Sequence, residues 1–347
     1  MLAGRPESYF VEKLLTLGRA VRDAVIAARS SNDLAGVAKQ TSADTIYTLD
    51  THVEPILEKF CEEWSREVPL VLIAEGIEDE HGNEGKVVFP HGTAEADAKI
   101  RIICDPVDGT RGLMYDKRAA WFLAGIAPNN GDATRLSDIT VAAQIELPTS
   151  KQLLSDVLWA VKGQGAKGQR EFIYKTLTTP SFSEMDVDPT PLTLRSSQAD
   201  SLLHGFAQIS NFFPGTKELS SKLMEKIVRE SIGAADVTKG MVFDDQYIST
   251  GGQFYELMIG HDRFNADLRP IFYQIQKQPP GLCVHPYDVA SMLIAQEAGI
   301  HLTNGLGQPL DGPLDVDTPL SWAAFANQNI RAKVEPVMLA QLRAWLG

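Results

Sequence analysis

Asp105-Pro106-Val107-Asp108-Gly109-Thr110 is the stretch on which the reading of this chain turns. It follows Ala98-Lys99-Ile100-Arg101-Ile102-Ile103-Cys104, whose β-branched residues predict a buried strand. Pro106 sets its own φ and biases Asp105 towards extended backbone, while Gly109 lets the main chain come close to whatever occupies the turn. Two carboxylates at a strand end can face one point in space, and two anions at one point demand a cation. Hard oxygen ligands suit Mg²⁺, with the Val107 carbonyl between them as a further ligand. A helix starting at Thr110 would turn its N–H groups towards the same place. By itself the pattern fits an acidic turn that caps a helix, so the rest of the chain has to decide.

The 347 residues, 44% of them apolar, can bury a large core and suggest two domains. Alternating helical and strand patterns predict an α+β or α/β architecture. No apolar run reaches membrane-spanning length, and Met1–Glu7 lacks the basic-then-apolar pattern of a secretory signal. Cys61, Cys104 and Cys283 are scattered and odd in number, which predicts reduced thiols in a cytoplasmic protein. A formal net charge of −13 argues against nucleic acid or an anionic membrane as partner. A small phosphorylated molecule remains compatible, because a bound metal reverses the local field.

Residues 8–29 carry Phe10, Leu14, Val21 and Val25 at helical spacing. A second helix turns Val53, Ile56, Leu57, Phe60 and Trp64 inward, with Asp50 as its N-cap. Leu70–Ile73 predicts a short buried strand ending at Ala74-Glu75-Gly76, and the acidic, aperiodic residues 76–97 predict a surface loop. Residues 119–127, 139–147 and 153–161 read as strands of one sheet, and Gly163–Gly168 as a hairpin turn without the ending of a phosphate loop. Thr176–Leu192 has the composition of a domain link. Lys217–Ile232 is helical, Ser249-Thr250-Gly251-Gly252 starts another helix, and Arg263–Leu268 is a strand. Thr238–Asp245 is assigned to the shaping of a ligand pocket. His285-Pro286-Tyr287-Asp288-Val289-Ala290 opens a helix stopped by Gly299, and residues 331–346 form a closing helix. The seven histidines show no ligand spacing, and His91 and His285 read as ordinary loop residues.

Four acids share one kind of position. Glu75 follows a strand, Asp105 and Asp108 follow another, and Asp288 opens a helix; such places are where α/β proteins put ligands. The set Glu75, Asp105–Thr110 and Tyr287-Asp288-Val289-Ala290, followed by Glu297-Ala298-Gly299, resembles the inositol monophosphatase family of Mg²⁺-dependent phosphatases. Lys39, Asp44 and Asp50 are similar to that family's stretch before its second helix, and Ala324-Phe325-Ala326-Asn327 to its C-terminal strand. The likeness runs from about residue 8 to about residue 330.

The resemblance implies a layered α-β-α-β-α sandwich of the inositol monophosphatase and fructose-1,6-bisphosphatase type. An N-terminal α+β domain (1–178) would carry most metal ligands, and a C-terminal α/β domain (190–347) would carry Asp288 and the substrate side. Glu75, Asp105, the Val107 carbonyl, Asp108 and Asp288 would hold two Mg²⁺, with Asp50 assisting a third. Glu75, Thr110 and Asp50 would be catalytic, Glu75 and Thr110 orienting the attacking water. Asp108, Gly109, Thr110, Gly251, Gly252 and Asp288 would contact phosphate or substrate. The implied activity is hydrolysis of a small polyol or sugar phosphate, by a homodimer with no nucleic-acid or membrane partner. Alternatives are a 3′(2′),5′-bisphosphate nucleotidase, a fructose-bisphosphatase, or a non-catalytic relative that binds phosphate and metal.

Departures from the family pattern cluster on the substrate side. Glu75-Gly76 stands where the family often has two acids, which leaves the second carboxylate either absent or supplied by Glu78 or Asp79. Leu113 replaces an aromatic, Tyr287 a tryptophan, and Gly251-Gly252 a Gly-Ser. Leu268–Tyr287 is longer than the family norm, and Gly281 stands where the family's inositol-contacting acid would be. The resemblance therefore implies preserved catalysis with an altered substrate contact.

Overall fold

The computed structural model describes residues 1–29, 37–40, 45–79, 82–173, 188–233 and 239–347, with side chains described outside 29–52. Helices α1 (Glu7–Arg29) and α2 (Thr48–Ser65) flank a ribbon of β1 (Val37–Gln40) and β2 (Thr45–Tyr47). There follow β3 (Leu70–Glu78), β4 (Glu84–Phe89), β5 (Ile100–Asp108), α3 (Thr110–Met114), β6 (Ala120–Pro128), β7 (Val141–Leu147), β8 (Leu154–Val161), β9 (Ala166–Phe172) and β10 (Thr190–Pro191). The second half contains β11 (Gly205–Ile209), α4 (Lys217–Ile232), β12 (Val242–Phe243), α5 (Thr250–Met258), β13 (Asp262–Asp267) and α6 (Arg269–Gln276). It closes with α7 (Met292–Glu297), β14 (His301–Thr303), β15 (Trp322–Phe325) and α8 (Gln328–Leu346).

Period-two alternation decides how these elements stack. On β5, Ile100, Ile102 and Cys104 pack with α1 and α2, while Ile103 faces the opposite way with Trp121 and Leu123 of β6. A sheet apolar on both faces needs a helical layer on each side. Among the described residues this sheet has the order β10-β9-β8-β7-β6-β5-β3-β4, antiparallel except where β3 meets β5. A second sheet has the order β12-β11-β13-β15-β14. Its Trp322 and Ala324 pack towards α5 and α7, and Ala323 and Phe325 towards α4, α6 and α8. The result is α1/α2, sheet, α5/α7, sheet, α4/α6/α8: the five alternating layers that the resemblance implies.

Several local expectations change. Residues 76–97 are not a loop: β3 continues to Glu78 and β4 returns antiparallel to it. On β4, Val87 and Phe89 are buried while Glu84 and Lys86 are exposed, and the inward position between the two charges is Gly85, which leaves the apolar side of the alternation short. Helix α2 starts at Thr48, which puts Asp50 inside its first turn rather than at its N-cap. The segment after His285 is no continuous helix but a tight 3-10 turn, Pro286–Val289, followed by α7. The Asp288 carboxylate binds back to the His285 N–H (2.7 Å) and closes that turn. The link read at Thr176–Leu192 falls mostly outside the described residues, as do residues 234–238 and Asp44. No helix among the described residues is long and apolar enough to cross a membrane. All three cysteines are buried thiols.

Candidate functional site

The central motif owes its geometry to a bulge. Asp105 lies opposite Leu123, and Asp108 opposite Trp121, so three residue steps on β5 match two on β6. Pro106 has no N–H to give to the ladder, which favours an irregularity there. Residues three apart on a regular strand point to opposite faces; one extra residue restores parity and aims both carboxylates the same way. Gly109 then turns the chain with φ 101°. A Cβ there would come within 3.1 Å of the Ile248 carbonyl oxygen and Ser249 Cβ, so glycine is needed for both conformation and space.

Asp108 faces the N-terminus of α5. Its Oδ2 accepts from Gly251 N–H (2.6 Å) and the Ser249 hydroxyl (2.8 Å), and its Oδ1 from Thr250 N–H (3.2 Å). A Cβ on Gly251 would meet Leu123 Cδ2 at 2.4 Å, so this glycine lets the helix start sit against β6. The loop entering α5 is anchored by Tyr247, whose hydroxyl donates to the Ala119 carbonyl (2.7 Å) and accepts from Trp121 Nε1 (2.9 Å). Gln144 on β7, fully buried, ties the helix start to the segment after Asp288. Its Nε2 donates to the Gly251 carbonyl (2.8 Å) and its Oε1 accepts from the Ser291 hydroxyl (2.9 Å).

Asp105, Asp108 and Asp288 thus converge, with one oxygen of each lying within 4.8 Å of the others. Glu75, at the parallel neighbour β3, lines the same cavity together with Val107, Gly109 and Thr110. The Thr110 hydroxyl donates to the Val107 carbonyl (2.7 Å), which leaves its oxygen lone pairs facing outward as acceptors. Gly251 and Gly252 do not line the cavity: their N–H groups go to Asp108 and to Ser249 Oγ. The Asp50 side chain and that of Lys39 lie outside the described residues.

Other cavity-lining residues escaped the sequence reading: Glu54, Arg111, Phe212, Phe213, Cys283 and Arg269. Glu54 carried a signal, being one helical turn beyond position 50. It enters the space opened by Gly76, where a Cβ would sit 2.9 Å from Glu54 Oε1. Neither Glu78 nor Asp79 lines the cavity; Asp79 instead binds Asn83 across the β3–β4 turn. Of the Thr238–Asp245 stretch, residues 239–245 stay outside the cavity lining, and Asp245 pairs with Arg118. His285 is no ordinary loop residue. It is 9% exposed, stacks on Tyr287, and its Nδ1 lies 3.9 Å from Asp288 Oδ2.

Charge is the outstanding property of the cluster. Burial pushes the Asp105 carboxyl well above its usual range, and the charges of Asp108, Asp288 and Glu75 add to this against one opposing Val107 N–H. Burial lifts Asp108 to about 6 even though the start of α5 opposes it. Asp288 is raised by burial, Asp108 and Glu75, with His285 N–H and Arg269 acting the other way. The converging donors are carboxylate oxygens, which fits a hard divalent cation such as Mg²⁺. A cation bound among them would offset the burial and mutual repulsion that make these carboxyls retain protons.

Position 125 shows how tightly the site is built. A Cβ on Gly125 of β6 would meet the Ala290 carbonyl oxygen and Ile139 Cδ1, each at 2.7 Å. Gly125→Ala is expected to cost about 1–3 kcal/mol of stability by overpacking. It should also weaken divalent-cation affinity, because Ala290 belongs to the segment that carries Asp288. Chemical denaturation and metal titration of the variant check both; unchanged values would rule the close approach out.

No protein-family model and no curated protein matches the chain by sequence. Solved structures do match. Leishmania major fructose-1,6-bisphosphatase in its holo form superposes with TM-score 0.62 at 12% identity, over 96% of this chain and 93% of that one. The extragenic suppressor protein SuhB from Bartonella henselae gives 0.57 at 16% identity, over 94% and 98%. A protein described as inositol monophosphatase-fructose 1,6 bisphosphatase gives 0.58 at 14% identity, over 94% and 98%. From end to end, then, this chain has the fold of the inositol monophosphatase and fructose-1,6-bisphosphatase structures.

Proposed function

We propose that the chain is a Mg²⁺-dependent phosphomonoesterase acting on a small polyol or sugar phosphate. The observation that carries this reading is the convergence of three acids from two distant parts of the sequence, with Glu75 lining the same cavity. Glu75, Asp105, the Val107 carbonyl, Asp108 and Asp288 are the groups that would hold the cations. Divalent cations there would neutralise the ester's phosphate charge and lower the pKa of a water. The protein's own residues do the positioning. Thr110 Oγ, its proton committed to the Val107 carbonyl, accepts one hydrogen of the attacking water, and the Glu75 carboxylate accepts the other. The main chain at Gly109 and Thr110 lies where phosphate oxygens would rest. Asp108 is oriented by Ser249, Thr250 and Gly251, so its oxygens keep one geometry throughout. Direct attack of water in line with the leaving oxygen then requires no covalent nucleophile.

The test is release of orthophosphate from a panel of esters, with Mg²⁺ and with chelator. The panel includes inositol monophosphates, sugar phosphates and bisphosphates, and 3′-phosphorylated nucleotides, so the bisphosphate nucleotidase and fructose-bisphosphatase alternatives separate within it. Turnover in Mg²⁺ that stops in chelator is expected. Metal binding with no turnover of any ester would favour the non-catalytic alternative.

A further inference from the structure

The wall of the cavity formed by the second half of the chain carries a cation. Arg269, at the start of α6, lines the cavity and is 5% exposed. It is clamped by Asp267 at the end of β13: Nε donates to Oδ1 and Oδ2 (2.9 and 3.0 Å), and Nη2 to Oδ2 (2.6 Å). Nη1 donates to the Leu282 carbonyl (2.9 Å). A guanidinium has five N–H donors, so this fixed fork keeps donors to offer after those contacts. The rings of Phe212 and Phe213 lie 5.4 and 5.3 Å from its centre, and Arg111 stands 5.7 Å from Phe213. Gly281, by contrast, does not line the cavity.

Burying an ion pair costs desolvation that a pair of apolar residues would avoid, and a merely structural pair has no need of a cavity. Arg269 and Asp288 line the same cavity. From this geometry, and resting on the phosphatase reading above, we infer that Arg269 sets substrate specificity by donating to an acceptor oxygen on the alcohol part of the ester. Phe212 and Phe213 pack against the carbon skeleton of that alcohol. The acceptor is a hydroxyl, a carboxylate or a second phosphate, since all three offer lone pairs to a planar fork. Arg269 is thus a binding residue for the leaving group, and Asp267 positions it.

The test compares kcat and KM of the wild type, Arg269→Lys and Phe213→Leu. The esters are a neutral polyol phosphate, a phosphorylated hydroxy acid, a sugar bisphosphate and phenyl phosphate, whose leaving group has no acceptor beyond the ester oxygen. Arg269→Lys keeps the charge and loses the planar fork. For one acceptor-bearing ester, kcat/KM relative to phenyl phosphate should fall at least tenfold, mainly through KM, and that ester identifies the acceptor. Phe213→Leu, which leaves the ion pair intact, should shift the same ratio in the same direction. Equal losses on every ester, or a wild type without preference for acceptor-bearing esters, overturns the inference and leaves the phosphatase reading standing. A wild type that hydrolyses nothing defeats that reading, and the inference falls with it.

Discussion

Asp105→Asn is expected to stop turnover while making the metal-free protein harder to unfold. In the wild type, oxygens of Asp105, Asp108 and Asp288 lie within 4.8 Å of one another, and Asp105 and Asp108 are buried. At that separation two ionised carboxylates repel by on the order of 3 kcal/mol if the effective dielectric is about 20. The amide keeps the shape and still accepts the Val107 N–H, so removing the charge relieves repulsion without opening a cavity. The same change removes a ligand. A metal's electrostatic help amounts to several kcal/mol, and each ~1.4 kcal/mol is tenfold in rate, so activity should drop at least ~10³-fold. Melting in chelator at about pH 8 should therefore rank the variant above the wild type, and melting in excess Mg²⁺ should rank it below. A variant that melts lower under both conditions would mean that Asp105 is structural, and unimpaired turnover would remove it from the site.

The second large effect is a pH dependence of stability that Mg²⁺ reduces. Burial pushes Asp108 up from 3.8 to about 6, and Asp105 and Asp288 rise well above the same starting value. An acid whose pKa is higher folded than unfolded binds more protons in the folded state across that interval. Its contribution is fully present below about pH 4 and is lost as pH rises through the folded value. For Asp108 alone the loss is about 3 kcal/mol, at ~1.4 kcal/mol per pH unit. Half-buried Glu146 and buried Asp262, each pushed up to about 7, slope the same way but lie outside the cavity lining, so cation should not alter their share. In chelator the protein should lose stability between about pH 4 and 7. Mg²⁺, which binds the ionised carboxylates, should raise the melting temperature much more at about pH 8 than at about pH 5. An equal Mg²⁺ effect at the two pH values would exclude these carboxylates as the ligands.

Local pattern made much of the architecture legible. The strands at 119–127, 139–147 and 153–161 and the helices at 8–29 and 217–232 follow from periodicity, because each buries a face whose repeat is written into a short stretch. Where a glycine takes an inward position, as Gly85 does on β4, the same rule failed. The acids at 105, 108 and 288 could be named as partners because each ends a strand or opens a turn. Glu54 was overlooked although it lies one helical turn from position 50, since an acid on an amphipathic helix ordinarily faces water. Arg269, Phe212 and Phe213 carried no local signal at all.

The sequence by itself determined the kinds of elements, their order and the presence of oxygen ligands at their ends, because propensity, periodicity and turn chemistry act over a few residues. Tertiary structure alone decided which ligands meet and what surrounds them. The bulge at Pro106, the start of α5 against Asp108 and the placing of Arg269 against two phenylalanines depend on contacts between residues from about thirteen to more than a hundred positions apart. Such contacts are set by packing of both sheets against a shared helical layer, and no short stretch of sequence encodes them.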